Sequence, residues 1–164
     1  MKTSDIGLQL ITHMEGVKLR PYLDKCGIAT VGVGHAIADD NGEWIRDISK
    51  VPPHYFHLEK EDINEMLEND VIRFENNLNS LPLSFEQYQF DALMSFTFNL
   101  GFGALQTSTL LKSMKGLDGT PIEDCFMMFD KIRVDGKLIP DNWQIARRKT
   151  ESFLYLTGEL KFYA

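Results

Sequence analysis

The sequence predicts an α+β fold in two lobes, a small antiparallel sheet joined by one long helix to an all-helical second lobe. Three observations carry that prediction. Short apolar strands separated by glycine-bearing turns fill residues 22–45; a single 3.6-period seam runs from Glu59 to Leu78; and beyond Ser84 the apolar residues recur at helical spacing between cap and stop signals. The boundaries that follow are a sheet lobe over about 15–58, a connecting helix over about 59–79 and a helical lobe over about 80–164, with the N-terminal helix packed on the last. A chain of 164 residues is one domain's worth, so the two lobes belong to one domain.

The first helix starts at the capping pair Ser4-Asp5, carries Ile6, Leu10, Ile11 and Met14 at helical spacing, and stops at Gly16. Glu15 therefore sits in its last turn. The negative end of the helix dipole disfavours an ionised carboxyl there, which marks Glu15 as a candidate proton donor.

Two short strands follow, Tyr22-Leu23-Asp24 and Ile28-Ala29-Thr30-Val31, around the turn Lys25-Cys26-Gly27. A hairpin centred on Gly27 sets Asp24 opposite Thr30. Directly opposed residues share a face with Cβ atoms about 4.5–5.5 Å apart, so carboxylate and hydroxyl could hold one water between them. An acid facing a carboxylate that holds a water is what inverting hydrolysis of a glycosidic bond needs, with the carboxyl groups roughly 6.5–9.5 Å apart. Taken alone, a Glu and an Asp at this spacing are equally the mark of a solvated surface.

Asp39-Asp40-Asn41-Gly42 is a further hairpin signal and suggests a third strand, and Val51-Pro-Pro-His leads out of the sheet as a breaker-rich loop. In the long helix Ile63, Met66, Leu67, Val71, Phe74 and Leu78 share one face, and about 20 residues give a length of about 30 Å, enough to join two lobes. Ser84-Phe-Glu-Gln87 reads as a capping box opening an aromatic-rich helix to about Asn99, whose Phe90, Leu93, Phe96 and Phe98 supply core. Two or three more helices are expected: Ser108 to Met114, one beginning at Thr120-Pro121-Ile122-Glu123, and Trp143 to about Leu156, stopped by Gly158.

Bulk properties exclude several functions. Net charge −7 with no basic cluster argues against nucleic acid as a partner. No stretch approaches the about 18 apolar residues that span a bilayer, and polar residues interrupt the first apolar runs, so neither membrane insertion nor a signal peptide is expected. Cys26 and Cys125 are too few for a disulfide framework and are expected to be reduced. His13, His35, His54 and His57 form no His-Glu-x-x-His, no Cys-x-x-Cys is present, and Gly32-x-Gly34 lacks the third glycine of a dinucleotide loop, so no metal or other cofactor is expected.

Glu15-Gly16, Tyr22-Leu-Asp-Lys-Cys-Gly27 and Thr30-Val-Gly-Val-Gly-His35, at these spacings, resemble the catalytic signature of the bacteriophage lysozyme (endolysin) family of muramidases. Phe90 to Gly101, Ser108-Thr-Leu-Leu and Ala146-Arg147-Arg148-Lys-Thr-Glu151 resemble the family's second lobe in the same order, so the likeness covers essentially the whole chain. The resemblance implies hydrolysis of the β-1,4 bond between N-acetylmuramic acid and N-acetylglucosamine in peptidoglycan, with Glu15 as acid, Asp24 as base and Thr30 positioning the water. It implies substrate contacts at Phe98, Asn99, Ser108 and Thr109, an ion pair of His35 with Asp70 that ties the sheet to the long helix, and support from Arg147 near the catalytic glutamate, although Ala146 departs from a commonly seen asparagine. It implies too a monomer acting on peptidoglycan glycan strands, held in the host cytoplasm until a separate pore-forming holin gives access to the wall. A catalytically silent wall-binding module on the same scaffold is the competing reading, and the intact Glu15, Asp24 and Thr30 favour the enzyme.

Overall fold

The computed structural model describes residues 1–164. The chain divides into two compact units, one of residues 11–73 and one of residues 1–10 with 74–164, and two helices run across the division. The first is α1 (Asp5–Glu15) and the second α2 (Lys60–Asn79), the latter displaced by one residue from its expected bounds.

The unit of residues 11–73 holds a three-stranded antiparallel sheet, β1 (Lys18–Leu23), β2 (Ala29–Gly32) and β3 (His35–Ala36), in that order. Strand β1 carries a bulge: Lys18 pairs with Gly32 but Tyr22 pairs with Thr30, so three residues on β1 face one on β2. Pro21 lies inside this interval and has no N–H to give the ladder, which is why proline in a sheet is confined to such places. The third strand is short, and its path continues through Ile37, Ala38 and the bridge to Trp44 around the Asp39–Gly42 turn. Asp39 Oδ1 closes that turn by accepting from Asn41 N and Glu43 N.

The apolar side of this unit is one cluster: Ala29, Val31, Ile37, Ile45 and Val51, covered by Tyr55, Phe56, Leu58 and Met66. Two 3-10 helices, Ile48–Lys50 and Pro53–His57, pack against β1. The first is capped by Asp47, whose carboxylate takes both Ser49 N and Ser49 Oγ.

The other unit is built on α3 (Gln87–Leu100) and α7 (Asn142–Thr157), packed together, with α4 (Phe102–Gln106), α5 (Thr109–Met114) and α6 (Ile122–Met127) around them. Phe96 is its aromatic centre, meeting Phe126 and Phe129 edge-on at 5.6 and 5.0 Å. Helix α3 begins later than expected: the reciprocal cap is Glu86 with Gln89, the Glu86 N–H donating to Gln89 Oε1, and not Ser84 with Gln87. Gln87 is spent elsewhere, its amide donating to Lys2 O and Asp91 Oδ1.

The α+β class holds, with one correction to the all-helical second lobe. Residues 131–140 form a hairpin, β4 (Lys131–Val134) and β5 (Lys137–Pro140), turning at Asp135-Gly136. Both turn residues have positive φ, 47° and 79°, which the Asp-Gly pair accommodates and a helix cannot. The Asp-Gly pair between Val134 and Lys137 is a two-residue hairpin signal that the helical spacing on either side of it obscures.

Candidate active site

Glu15 is the last residue of α1. Gly16 follows with φ of 73° and donates its N–H to Thr12 O, so the chain leaves the helix through a left-handed residue directly behind the carboxyl. The side chain is half-buried.

Asp24 lies just past β1, and the hairpin differs there from the expected register. Its centre is Cys26, not Gly27: Tyr22 pairs with Thr30 and Leu23 with Ala29, and the ladder closes with Asp24 N donating to Ile28 O. Asp24 itself produces the shift. Its Oδ1 accepts from Cys26 N at 2.8 Å and Ile28 N at 2.9 Å, an Asx turn that shortens the reversal. A displacement of two residues keeps Asp24 on the face of Thr30 but makes the pair diagonal, at about 7–8 Å between backbone positions in place of direct opposition.

Two consequences for chemistry follow from the hydrogen bonds. Asp24 Oδ1 is committed to two amides, which fixes the carboxylate, while Oδ2 accepts nothing from the protein. Thr30, 4% exposed, donates its hydroxyl proton to Ile28 O, so its oxygen is left only as an acceptor. Asp24 Oδ2 and the Thr30 hydroxyl oxygen are thus both left to act as acceptors.

Tyr22, directly opposite Thr30 and two residues before Asp24, occupies the same face. Its hydroxyl is held above the ordinary tyrosine value, first by burial, then by the charges of Asp24 and Glu15. Glu15 and Asp24, from a helix end and a hairpin turn, therefore act on one and the same hydroxyl. Sequence reading missed Tyr22, although its period-2 spacing from Asp24 was visible.

His35, in β3, places Nδ1 3.0 and 2.8 Å from the two carboxylate oxygens of Asp70, in α2. Both residues lie in the unit of residues 11–73, so the pair joins sheet to helix within that unit. The His35 ring stacks on Tyr55 at 6.3 Å.

The remaining expected residues lie in the other unit. Phe98 packs against Phe74 at 5.4 Å, and Asn99 Oδ1 accepts from Arg148 Nη2 at 3.2 Å. Thr109 is half-buried at the first position of α5. Ser108 is 5% exposed and its hydroxyl is committed twice, accepting Leu111 N as the cap of α5 and donating to Leu105 O, so its hydrogen-bonding duty is structural. Arg147, 1% exposed, belongs to a buried network in which Glu151 Oε1 accepts from Arg147 Nε, Arg148 Nη2 and Ser95 Oγ. The i, i+3 and i, i+4 spacings of Glu151 were the available signal for that network. No three His, Cys, Asp or Glu side chains converge as metal ligands.

Residues 12–151 match the family model described as phage lysozyme. The endolysin of Acyrthosiphon pisum secondary endosymbiont phage 1 is 32% identical over 156 residues, covering 94% of this chain and 98% of that protein. Among solved structures, the endolysin from Escherichia coli O157:H7 phage FAHEc1 superposes with a TM-score of 0.81 at 29% identity, covering 98% of this chain and 97% of its own. The muramidase domain of SpmX from Asticaccaulis excentricus gives 0.76 at 26% identity, covering 95% and 98%. A family match that takes in the α1 end, the whole hairpin and the buried arginines of α7 leaves one conclusion: this chain belongs to the phage lysozyme family.

Proposed function

We propose that this muramidase cleaves the β-1,4 bond between N-acetylmuramic acid and N-acetylglucosamine of peptidoglycan with inversion, Glu15 serving as general acid and Asp24 as general base. The reading rests chiefly on the division of labour between the oxygens of the hairpin. Asp24 Oδ2 and Thr30 Oγ1 are both acceptors without a competing protein donor. A water set between them directs one proton to each and keeps a lone pair for the anomeric carbon. As the water oxygen bonds to that carbon, its proton passes to Asp24 Oδ2, the glycosidic bond breaks and the leaving oxygen takes the proton of Glu15. One water is consumed, and the new hemiacetal carries the opposite anomeric configuration.

No cofactor enters these steps. Asn99 Nδ2 and Thr109 Oγ1 make no hydrogen bond within the protein and suit the hydroxyl and acetamido groups of a glycan. No helix is long and apolar enough to cross a membrane. The enzyme acts as a monomer and depends on a separate pore former to reach the wall from the cytoplasm.

Proton NMR of the first-formed muropeptides, with mass analysis of the ends, tests this reading. The expected product is the α anomer at a new reducing N-acetylmuramic acid. A β anomer at the outset refutes inversion, and a new reducing N-acetylglucosamine refutes the bond assignment.

A further inference from the structure

Resting on the assignment of Asp24 as general base, we infer that Arg46 is a positioning residue for the reaction: its guanidinium latches the tip of the catalytic hairpin and so steadies the two amides that hold Asp24. The latch is Arg46 Nη1, which donates to Cys26 O at 2.8 Å across twenty residues of chain.

The place of this bond gives it leverage. Asp24 Oδ1 accepts from Cys26 N and Ile28 N, and the peptide unit that joins Cys26 to Gly27 lies between those two donors. That unit is planar, so its tilt sets how the two amides are disposed toward one oxygen. Its N–H, on Gly27, donates to Asp24 O at 2.9 Å, and its C=O is the group that Arg46 takes. The unit is therefore held at both ends. Without the arginine one hold remains, beside a residue suited to turning: Gly27 has φ of 71°, and glycine occupies either sign of φ with similar ease.

The arm of the latch is rooted in fixed structure. Ile45, directly before Arg46, is buried, accepts from Ala29 N at 2.7 Å and donates to Ile37 O at 3.0 Å. Asp47, directly after, caps the first 3-10 helix. A guanidinium on such a root keeps its charge at every working pH and is a steadier donor than a water. Cys26 is exposed, so water could satisfy its carbonyl, and the bond is not needed to pair a stranded acceptor. What the arginine adds is a fixed direction.

No proton passes through Arg46 and no contact with the glycan is required of it. A loosened tip lets Asp24 Oδ1 lose a donor, and Oδ2, which takes the proton of the attacking water, is then aimed less often. Such a loss falls on turnover and leaves glycan binding in place.

The test is Arg46→Met, which keeps an unbranched arm and removes the donor, measured beside Asp24→Asn. The expected result is a kcat lower by about five- to twentyfold with KM within about twofold of the parent. Amide hydrogen exchange read by NMR on the free protein, which needs no turnover, should quicken at Cys26 and Ile28 and stay unchanged in α3 and α7. Parental kcat, a loss carried by KM, or a fall in kcat with exchange at Cys26 and Ile28 unchanged each overturns the inference. If any of these is found while Asp24→Asn abolishes cleavage, the Arg46 inference fails alone. Near-parental cleavage by folded Asp24→Asn overturns the assignment on which it rests.

Discussion

His35 Nδ1 and Asp70 Oδ2 lie 2.8 Å apart, joining the last strand of the sheet to the middle of α2. Each side chain is about a quarter exposed, 26% and 27%, so the pair is screened less than a surface ion pair yet never fully desolvated. A double-mutant cycle with His35→Asn and Asp70→Asn, read by urea unfolding near neutral pH, should give a coupling of about 1–2 kcal/mol. Coupling within error of zero would reduce the contact to crystal-clear geometry without energetic weight.

The hairpin predicts a graded loss of activity. Glu15→Gln and Asp24→Asn should each fold like the parent and lose at least about 10²–10⁴ in rate. Thr30→Val removes the acceptor for the second water proton and should lower kcat with little change in KM, whereas Thr30→Ser keeps that acceptor and should recover most of the rate. The losses need not add, since the groups act on one water. Equal activity of Thr30→Val and the parent counts against a water held at Thr30 Oγ1.

Glu151, fully buried, pairs with the buried guanidinium groups of both Arg147 and Arg148. Glu151→Ala should therefore destabilise the fold by about 3–5 kcal/mol, the cost of leaving buried charge uncompensated. A loss below about 1 kcal/mol in denaturant titration would mean that water or another anion replaces it.

Tyr155, packed against Phe126 at 5.9 Å, has its hydroxyl pushed above the ordinary value, first by burial and then by Tyr88. A folded value above the unfolded one means that this contribution is complete below the ordinary tyrosine range, about 10, and is lost as pH rises through the folded value. Thermal stability should fall on the alkaline side, and less steeply in Tyr155→Phe. Identical alkaline slopes would assign the fall to other groups. Asp47 works in the opposite sense: its bonds from Ser49 hold it below the usual carboxylate range, so its contribution is present above that range and fades in acid.

With net charge −7 against an anionic wall, long-range repulsion should slow encounter at low salt. Lysis of permeabilised cells should rise as the Debye length shrinks from about 30 Å at 0.01 M to about 10 Å at 0.1 M. A monotonic fall over that interval would point to a local basic face that dominates docking.

What the sequence made legible was whatever depended on local chemistry. The end of α1 at Glu15, the seam of α2 and the stop of α7 at Gly158 follow from period and from single glycines, and each is where those signals put it. The register of the catalytic hairpin was not legible in the same way. It depends on which backbone amides Asp24 captures, and Gly27 offered an equally good centre by composition. Nor was the β4–β5 hairpin, because Asp135-Gly136 had to be weighed against a helical neighbourhood without knowledge of the packing. Tyr22 escaped because an aromatic in an alternating strand reads as core until the charges beside it are known.

The bulge at Pro21 leaves β1 two residues longer than the stretch of β2 it spans, and two is one full repeat of the pleat. The active face is therefore governed by parity. Residues added in pairs between Tyr22 and Asp24, or between Ile28 and Thr30, would lengthen the hairpin and leave carboxylate, phenol and hydroxyl facing together. A single insertion would send part of the set through the sheet to its apolar side, so in this segment chain length can drift only by even steps.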